Sequence, residues 1–281
     1  MRHDGQGSGA KWPLAAVAAL LVLAALTGCK RLTFVRPNFD KTNYEHTGPD
    51  YAVRDDKRSK DAASARNRLQ LAQAALRNGD LDGAERDAHT ALKADPHSAD
   101  AHTLLGAIAE RRGNSAAAGQ YYKKAVDLAP ERGAFLNNYG AWLCSSGRAA
   151  ESLSWFDRAL ADSTYATPTA ALANAGSCAA TAGQYERAER DLRTALALDA
   201  GNALALGGLA RIELQKGNAF EARAFSERRL AAAPVDPDAL LLASQIEQKL
   251  GDTAAAARYV QRLRAEFPDA QGSGTGDDGK R

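Results

Sequence analysis

Six glycines, Gly79, Gly113, Gly147, Gly183, Gly217 and Gly251, mark the chain at steps of 34, 34, 36, 34 and 34 residues. A sustained period of this size is the signature of stacked supersecondary units, and it constrains the fold more than any single motif. Prolines keep the same phase near the unit ends, at Pro96, Pro130, Pro234 and Pro268. Counting each unit from fourteen residues before its glycine, the eighth position is always small: Ala72, Gly106, Gly140, Gly176, Ala210 and Ser244. So is the twentieth, with Ala84, Ala118, Ser152, Ala188, Ala222 and Ala256. The twenty-seventh is Ala91, Ala125, Ala159 and Ala195 in the first four units, and the twenty-fourth is bulky in Tyr122, Phe156, Leu192 and Val260.

This length and this alternation of small and bulky positions resemble the tetratricopeptide repeat (TPR). The predicted fold is all-α, a superhelical solenoid of six helix-turn-helix units at 65–98, 99–132, 133–168, 169–202, 203–236 and 237–270. Small side chains let paired helices cross closely, and each glycine supplies the positive φ that closes the first helix of its pair. The Asp or Asn that follows, as in Gly79-Asp80, Gly113-Asn114, Gly217-Asn218 and Gly251-Asp252, is placed to cap the second helix. One pair cannot bury its apolar face alone, so neighbours stack over a continuous core. The expected product is a right-handed arc with the first helices of the pairs lining its concave face. A scarcity of aromatics (6%) and a single Met suit packed Ala- and Leu-rich helices better than a β-sandwich. The third unit departs from the pattern. Thr164 stands where the proline is expected, and two extra residues in 162–168 lengthen its exit loop, either as a tolerated change or as a projection that shapes the groove.

The N-terminus has a polar stretch with Arg2 and Lys11, then an apolar run from Leu14 to Leu26. Such a run rises only about 20 Å as a helix against about 30 Å of bilayer core, which fits a signal-peptide core over 1–28 better than a membrane span. Leu26-Thr27-Gly28-Cys29 directly follows and resembles the bacterial lipobox. The resemblance implies cleavage before Cys29 and acylation of that residue. Lys30 stands where an inner-membrane retention signal would have Asp, so the expected address is the periplasmic face of the outer membrane. Several acyl chains anchor effectively because each buried methylene contributes about 0.8 kcal/mol. Residues 29–64, with Pro37, Pro49 and a charged stretch at 54–61, are expected to form a lipidated flexible tether, and 271–281 a disordered polar tail.

Nothing in the chain specifies chemistry. The formal charge is +2 and the longest basic runs are pairs such as Lys123-Lys124, so nucleic acid is not an expected partner. The five histidines show no metal-ligand spacing, and no nucleophile elbow, phosphate loop or carboxylate pair appears. Neither catalysis, nor a cofactor beyond the lipid, nor a small-molecule substrate is expected. With Cys29 lipidated, Cys144 and Cys178 remain as a pair, each late in the first helix of adjacent units. Bridged cysteines keep Cα atoms about 4.4–6.8 Å apart and packed helix axes lie about 8–10 Å apart, so the residues allow either a disulfide or two buried thiols.

A more particular likeness lies in units three and four. Phe135-Leu-Asn-Asn-Tyr-Gly-Ala-Trp-Leu-Cys144, Gly147-Arg148, Glu151-Ser152 and Phe156-Asp-Arg-Ala-Leu160 are followed by Tyr165-Ala-Thr-Pro168 and Ala171-Leu-Ala-Asn-Ala-Gly-Ser-Cys178. These resemble the PilW/PilF-type outer-membrane lipoproteins of type IV pilus biogenesis. The resemblance implies a pilotin-like protein-interaction scaffold that helps the pilus secretin localise, multimerise or remain stable. The TPR likeness also places ligands against positions two, five, nine and twelve of the first helices. Here those include Arg66, Leu69, Gln73, Asp100, Thr103, Asn137, Ala141, Arg211 and Gln245. Two other functions fit a TPR lipoprotein: another envelope assembly system, such as a tight-adherence pilus or outer-membrane protein assembly, and activation of a cell-wall enzyme.

Overall fold

The structure, a computed structural model, describes residues 56–271. Among them are twelve α-helices and no strand. They are α1 (Lys57–Arg77), α2 (Leu81–Ala94), α3 (Ala99–Arg111), α4 (Ser115–Leu128), α5 (Gly133–Ser145) and α6 (Ala149–Ala161). The second half continues with α7 (Pro168–Thr181), α8 (Tyr185–Leu198), α9 (Ala203–Gln215), α10 (Ala219–Ala232), α11 (Pro237–Leu250) and α12 (Thr253–Glu266), then a 3₁₀ turn at Pro268–Gln271. Odd and even helices pair as A and B of six units. Neighbouring A helices touch at all five junctions, while each of the first five B helices packs between its own A helix and the next one.

The period works through the turns. All six marker glycines have φ between +74° and +84°. In every unit the residue after the glycine donates its N–H to the carbonyl five residues back, as in Asp80 to Ala75 (2.9 Å) and Gln184 to Ala179 (2.8 Å). That bond closes the helix end and satisfies a carbonyl that would otherwise lack a partner. Asp80, Asn114 and Asp252 then accept from the N–H groups of Gly83, Ala117 and Ala255. Asn218 does not cap α10; its amide donates instead to Glu213 Oε2 at 2.8 Å.

At the eighth position the crossings leave no room. A Cβ on Gly106 would stand 2.6 Å from the Tyr122 ring, and one on Gly176 2.6 Å from Leu192 Cγ. Around these crossings Leu105, Ile108, Leu136, Leu143, Phe156, Leu192, Leu209 and Ile246 are essentially inaccessible. Each such side chain contributes about 1.5–3 kcal/mol on burial. The core divides into three clusters, not one continuous run. Tyr121 packs against both the first and the second. In the fifth unit the twenty-seventh position holds Arg229, whose guanidinium pairs with Asp236 and bonds the Pro234 carbonyl.

One expectation, the extent of the tether, changes, and one of the two readings of the unit-three loop holds. The first helix starts at Lys57, inside the stretch expected to be tether, with Asp56 Oδ1 accepting from Ser59 N at 2.7 Å. Lys57, Ser59 and Lys60 of its first turn are exposed and the turn carries no apolar period, so only the cap announces it. The long loop of unit three does not project. Asp162 accepts from Gly133 N (2.8 Å) and from both the N–H and hydroxyl of Thr164, and half-buried Tyr165 packs on Gly133. The two extra residues fold back onto the start of α5.

Candidate partner-binding face and the linked repeats

The A helices bring the site candidates onto one side of the stack. Arg66 and Gln73 on α1, Asp100 on α3, Arg211 on α9 and Gln245 on α11 are all exposed. Four candidates do not stand on an open wall. Leu69 is half-buried against the first core cluster and Ala141 against the third. Thr103 is half-buried, with an Oγ1 that is shielded and unpartnered, as is Nδ1 of the adjacent His102. Asn137 is buried, and its Oδ1 accepts from Asn174 Nδ2 on α7 at 3.0 Å. At the junction of units three and four, Asn174 on α7 thus covers Asn137 on α5.

The same junction joins Cys144 to Cys178 through a disulfide, with Cα atoms 5.8 Å apart. A cross-link and a side-chain amide bond thus tie α5 to α7 where the period lengthens. Closing a loop of 34 residues stabilises by roughly 3–4 kcal/mol in the chain-entropy account. Beside it, Tyr139 stacks on Trp142 (5.5 Å) and meets Trp155 edge-on (4.8 Å). Trp142 lies over Gly119, where a Cβ would come within 2.0 Å, and its Nε1 donates to the Ser115 carbonyl. Periodicity does not reveal this aromatic seam, because Trp142 and Trp155 are not at repeat-defining positions.

Ion pairs run from unit to unit. Arg187 bridges Asp157 and Asp191, Lys216 reaches Glu189 and Glu213, and Arg223 embraces the buried Glu247. Hydrogen bonds from Lys216 and Arg193 hold the Glu189 carboxyl below its ordinary range. The Tyr122 hydroxyl is pushed up by burial and by its bond to Glu110 at 2.6 Å. These groups are committed to the stack. Among the described residues no cluster of three or more His, Cys, Asp or Glu is arranged to hold a metal, and no helix is long and apolar enough to cross a membrane. Cys29 and the Leu26, Thr27 and Gly28 preceding it lie outside the described residues.

Fold and repeat chemistry define a tetratricopeptide-repeat protein, and residues 69–133 and 179–246 match tetratricopeptide-repeat families. The crystal structure of PilW, described as a widely conserved type IV pilus biogenesis factor, shares 33% identity at a TM-score of 0.66 over 73% of this chain and 94% of that one. The chain belongs to this family of PilW/PilF-type TPR proteins. Type IV pilus assembly protein PilF of Pseudomonas aeruginosa is 24% identical over 71% of this chain and 79% of PilF. Its solved structure gives a TM-score of 0.65. Cellulose synthase 1 operon protein C of Komagataeibacter xylinus is 30% identical over 54% of this chain. The chain spans only 12% of that protein's length and 14% of its cellulose synthase 2 counterpart.

Proposed function

We propose that the protein is a lipid-anchored adaptor of a type IV pilus machine, held at the periplasmic face of the outer membrane by acylated Cys29 and binding the pilus secretin through its TPR stack. The observation that carries this reading is the likeness to PilW, which extends over 94% of that chain. The anchor reading rests on Leu26-Thr27-Gly28-Cys29 after an apolar run. A TPR stack is a surface for proteins, which favours a scaffold as the use of this fold.

The test is outer-membrane fractionation of wild-type, deletion and Cys29→Ala strains, blotting the heat-resistant secretin multimer. Loss of multimer in the deletion, with the Cys29→Ala protein leaving the outer membrane, is the expected result. An unchanged multimer in the deletion overturns the secretin role and leaves another envelope assembly as the use of the scaffold.

A further inference from the structure

The first helix breaks a local rule that the rest of the stack obeys. The amino end of a helix carries a partial positive charge, so cations in its first turn oppose the dipole. Across α2 to α12 the first four residues hold a single Lys or Arg, Arg187. In α1 they hold three, Lys57, Arg58 and Lys60, and no acid. A local conflict of this kind marks a place where something besides folding selects the residues.

Length sets α1 apart as well. It has 21 residues where the helices after it have 13 or 14, and its first buried residue is Ala65. The additional residues at its amino end rise about 10 Å, passing beyond Ala94, where the antiparallel α2 stops. At about 100° per residue, Lys57, Lys60, Asn67 and Leu71 fall within an arc of about 80° that excludes the buried Ala65 and Ala72. All four are exposed, and Leu71 is a large apolar side chain 45% open to solvent. The helix carries six cations against one acid, Asp61, in a chain whose formal charge is only +2. Its positive charge is therefore local to this end of the stack. Arg68 pairs with Asp87, and the Asp56 carboxylate is taken up by Ser59 N–H. Lys57, Lys60 and Arg77 have no carboxylate partner among the described residues. A basic helical side with a bare leucine, on the first helix after an acylation motif, complements an anionic bilayer surface.

We propose that this side of α1 docks on anionic phospholipid headgroups of the bilayer that holds acylated Cys29, with Lys57 and Lys60 on headgroup phosphates and Leu71 at the boundary with the acyl chains. The proposal rests on the lipid-anchor reading and adds a second membrane contact, made by the folded stack itself. Residues 30–55 between Cys29 and Asp56 reach at most about 95 Å. The anchor therefore makes the docking step effectively intramolecular, so a few cations suffice although each is weak at physiological salt. Docking turns unit one to the membrane and leaves the later units for protein partners.

The test uses the acylated full-length protein carrying Ser64→Cys, on the same side of α1, as its one free thiol, because Cys144 and Cys178 are bridged. A donor dye on that thiol and a trace of acceptor-labelled headgroup report proximity to the bilayer. Vesicles are phosphatidylcholine alone, or with about one part in three of phosphatidylglycerol. Energy transfer is expected to be about twofold higher with phosphatidylglycerol and to return to the phosphatidylcholine level in about 0.5 M salt. Lys57→Glu with Lys60→Glu should abolish the rise, while Lys57→Arg with Lys60→Arg should keep it. The Glu pair should melt no lower than wild type, since acids suit a helix amino end. Equal transfer in the two vesicles, or a rise that survives the Glu pair, overturns the proposal. So does transfer indifferent to phosphatidylglycerol in a protein whose Glu pair loses the secretin multimer, because that side then meets a protein. The mass of the purified protein reads the anchor separately. An acylated protein indifferent to phosphatidylglycerol defeats the α1 contact alone. An unacylated Cys29 defeats the anchor reading; the full chain is then floated with the same vesicles. Flotation that needs phosphatidylglycerol and is lost in the Glu pair upholds the α1 contact, and flotation equal in both vesicles, or none, defeats it too.

Discussion

Cys144 near the end of α5 and Cys178 in α7 stand with Cα atoms 5.8 Å apart, and the disulfide between them links two A helices that are also joined by Asn174 and Asn137. The link falls at the one junction where the period is 36 residues and not 34. The cross-link closes a loop of 34 residues in the unfolded chain and so removes much of its freedom at this junction.

Replacing both cysteines by serine should therefore lower the unfolding free energy by about 2–4 kcal/mol, with little change in helical content. Urea unfolding followed by circular dichroism reads it out. An unchanged midpoint, or a midpoint insensitive to reductant in the wild type, would show that the bond does not hold this junction.

Asn137 and Asn174 make a pair inside the stack. Asn137→Ala should cost about 1–3 kcal/mol by leaving the partner amide unsatisfied, and adding Asn174→Ala should recover part of that loss. If Asn137 were instead a ligand contact on an open wall, its removal would leave stability alone and weaken only binding. A double-mutant cycle in urea separates the two.

Two helical glycines should respond with opposite sign. A methyl at Gly176 meets Leu192 Cγ at 2.6 Å and the Ala188 carbonyl oxygen at 3.0 Å, so Gly176→Ala should destabilise by about 1–3 kcal/mol. A methyl at Gly207 meets nothing within 4 Å, so Gly207→Ala should stabilise by about 0.5–1 kcal/mol through helix propensity alone. Melting temperatures moving in the same direction would contradict the packing described for the two sites.

Acid should weaken the junction of units four and five. The Glu189 carboxyl is held below its ordinary value of 4.5 by hydrogen bonds from Lys216 and Arg193. A depressed folded-state pKa means the contribution is intact above about pH 4.5 and is lost as pH falls below it through the folded value. Glu189→Gln removes the titrating group, so its stability should fall less steeply than that of wild type below pH 4.5. Parallel acid limbs for the two proteins would show that this carboxylate carries none of the dependence.

Much of this protein was legible in its sequence because the determining rules are local. A 34-residue period, small residues at helix crossings and a glycine that takes positive φ specify helix, turn and helix within one unit, and stacking repeats that answer. The TPR fold, the six turns and the three caps by Asp80, Asn114 and Asp252 follow from those rules. Family membership was legible too, from the residues of units three and four. Asn218 shows the limit of the local rule: the same residue type in the same place turns to Glu213 because a buried carboxylate lies within reach.

What the tertiary structure alone decided depends on how one unit lies against the next. Cys144 and Cys178 were compatible with two fates until the A-helix spacing placed their Cα atoms 5.8 Å apart. Asn137 counted as a groove residue by register, yet α7 covers it, while Arg211 keeps the same kind of register and stays open. The start of α1 at Lys57 escaped the pattern because an exposed, capped turn has no apolar period to read. Sequence period fixes what each unit is. Which surface remains open, and which charges stay unpaired on it, is set by distances across unit boundaries, and no local pattern encodes those.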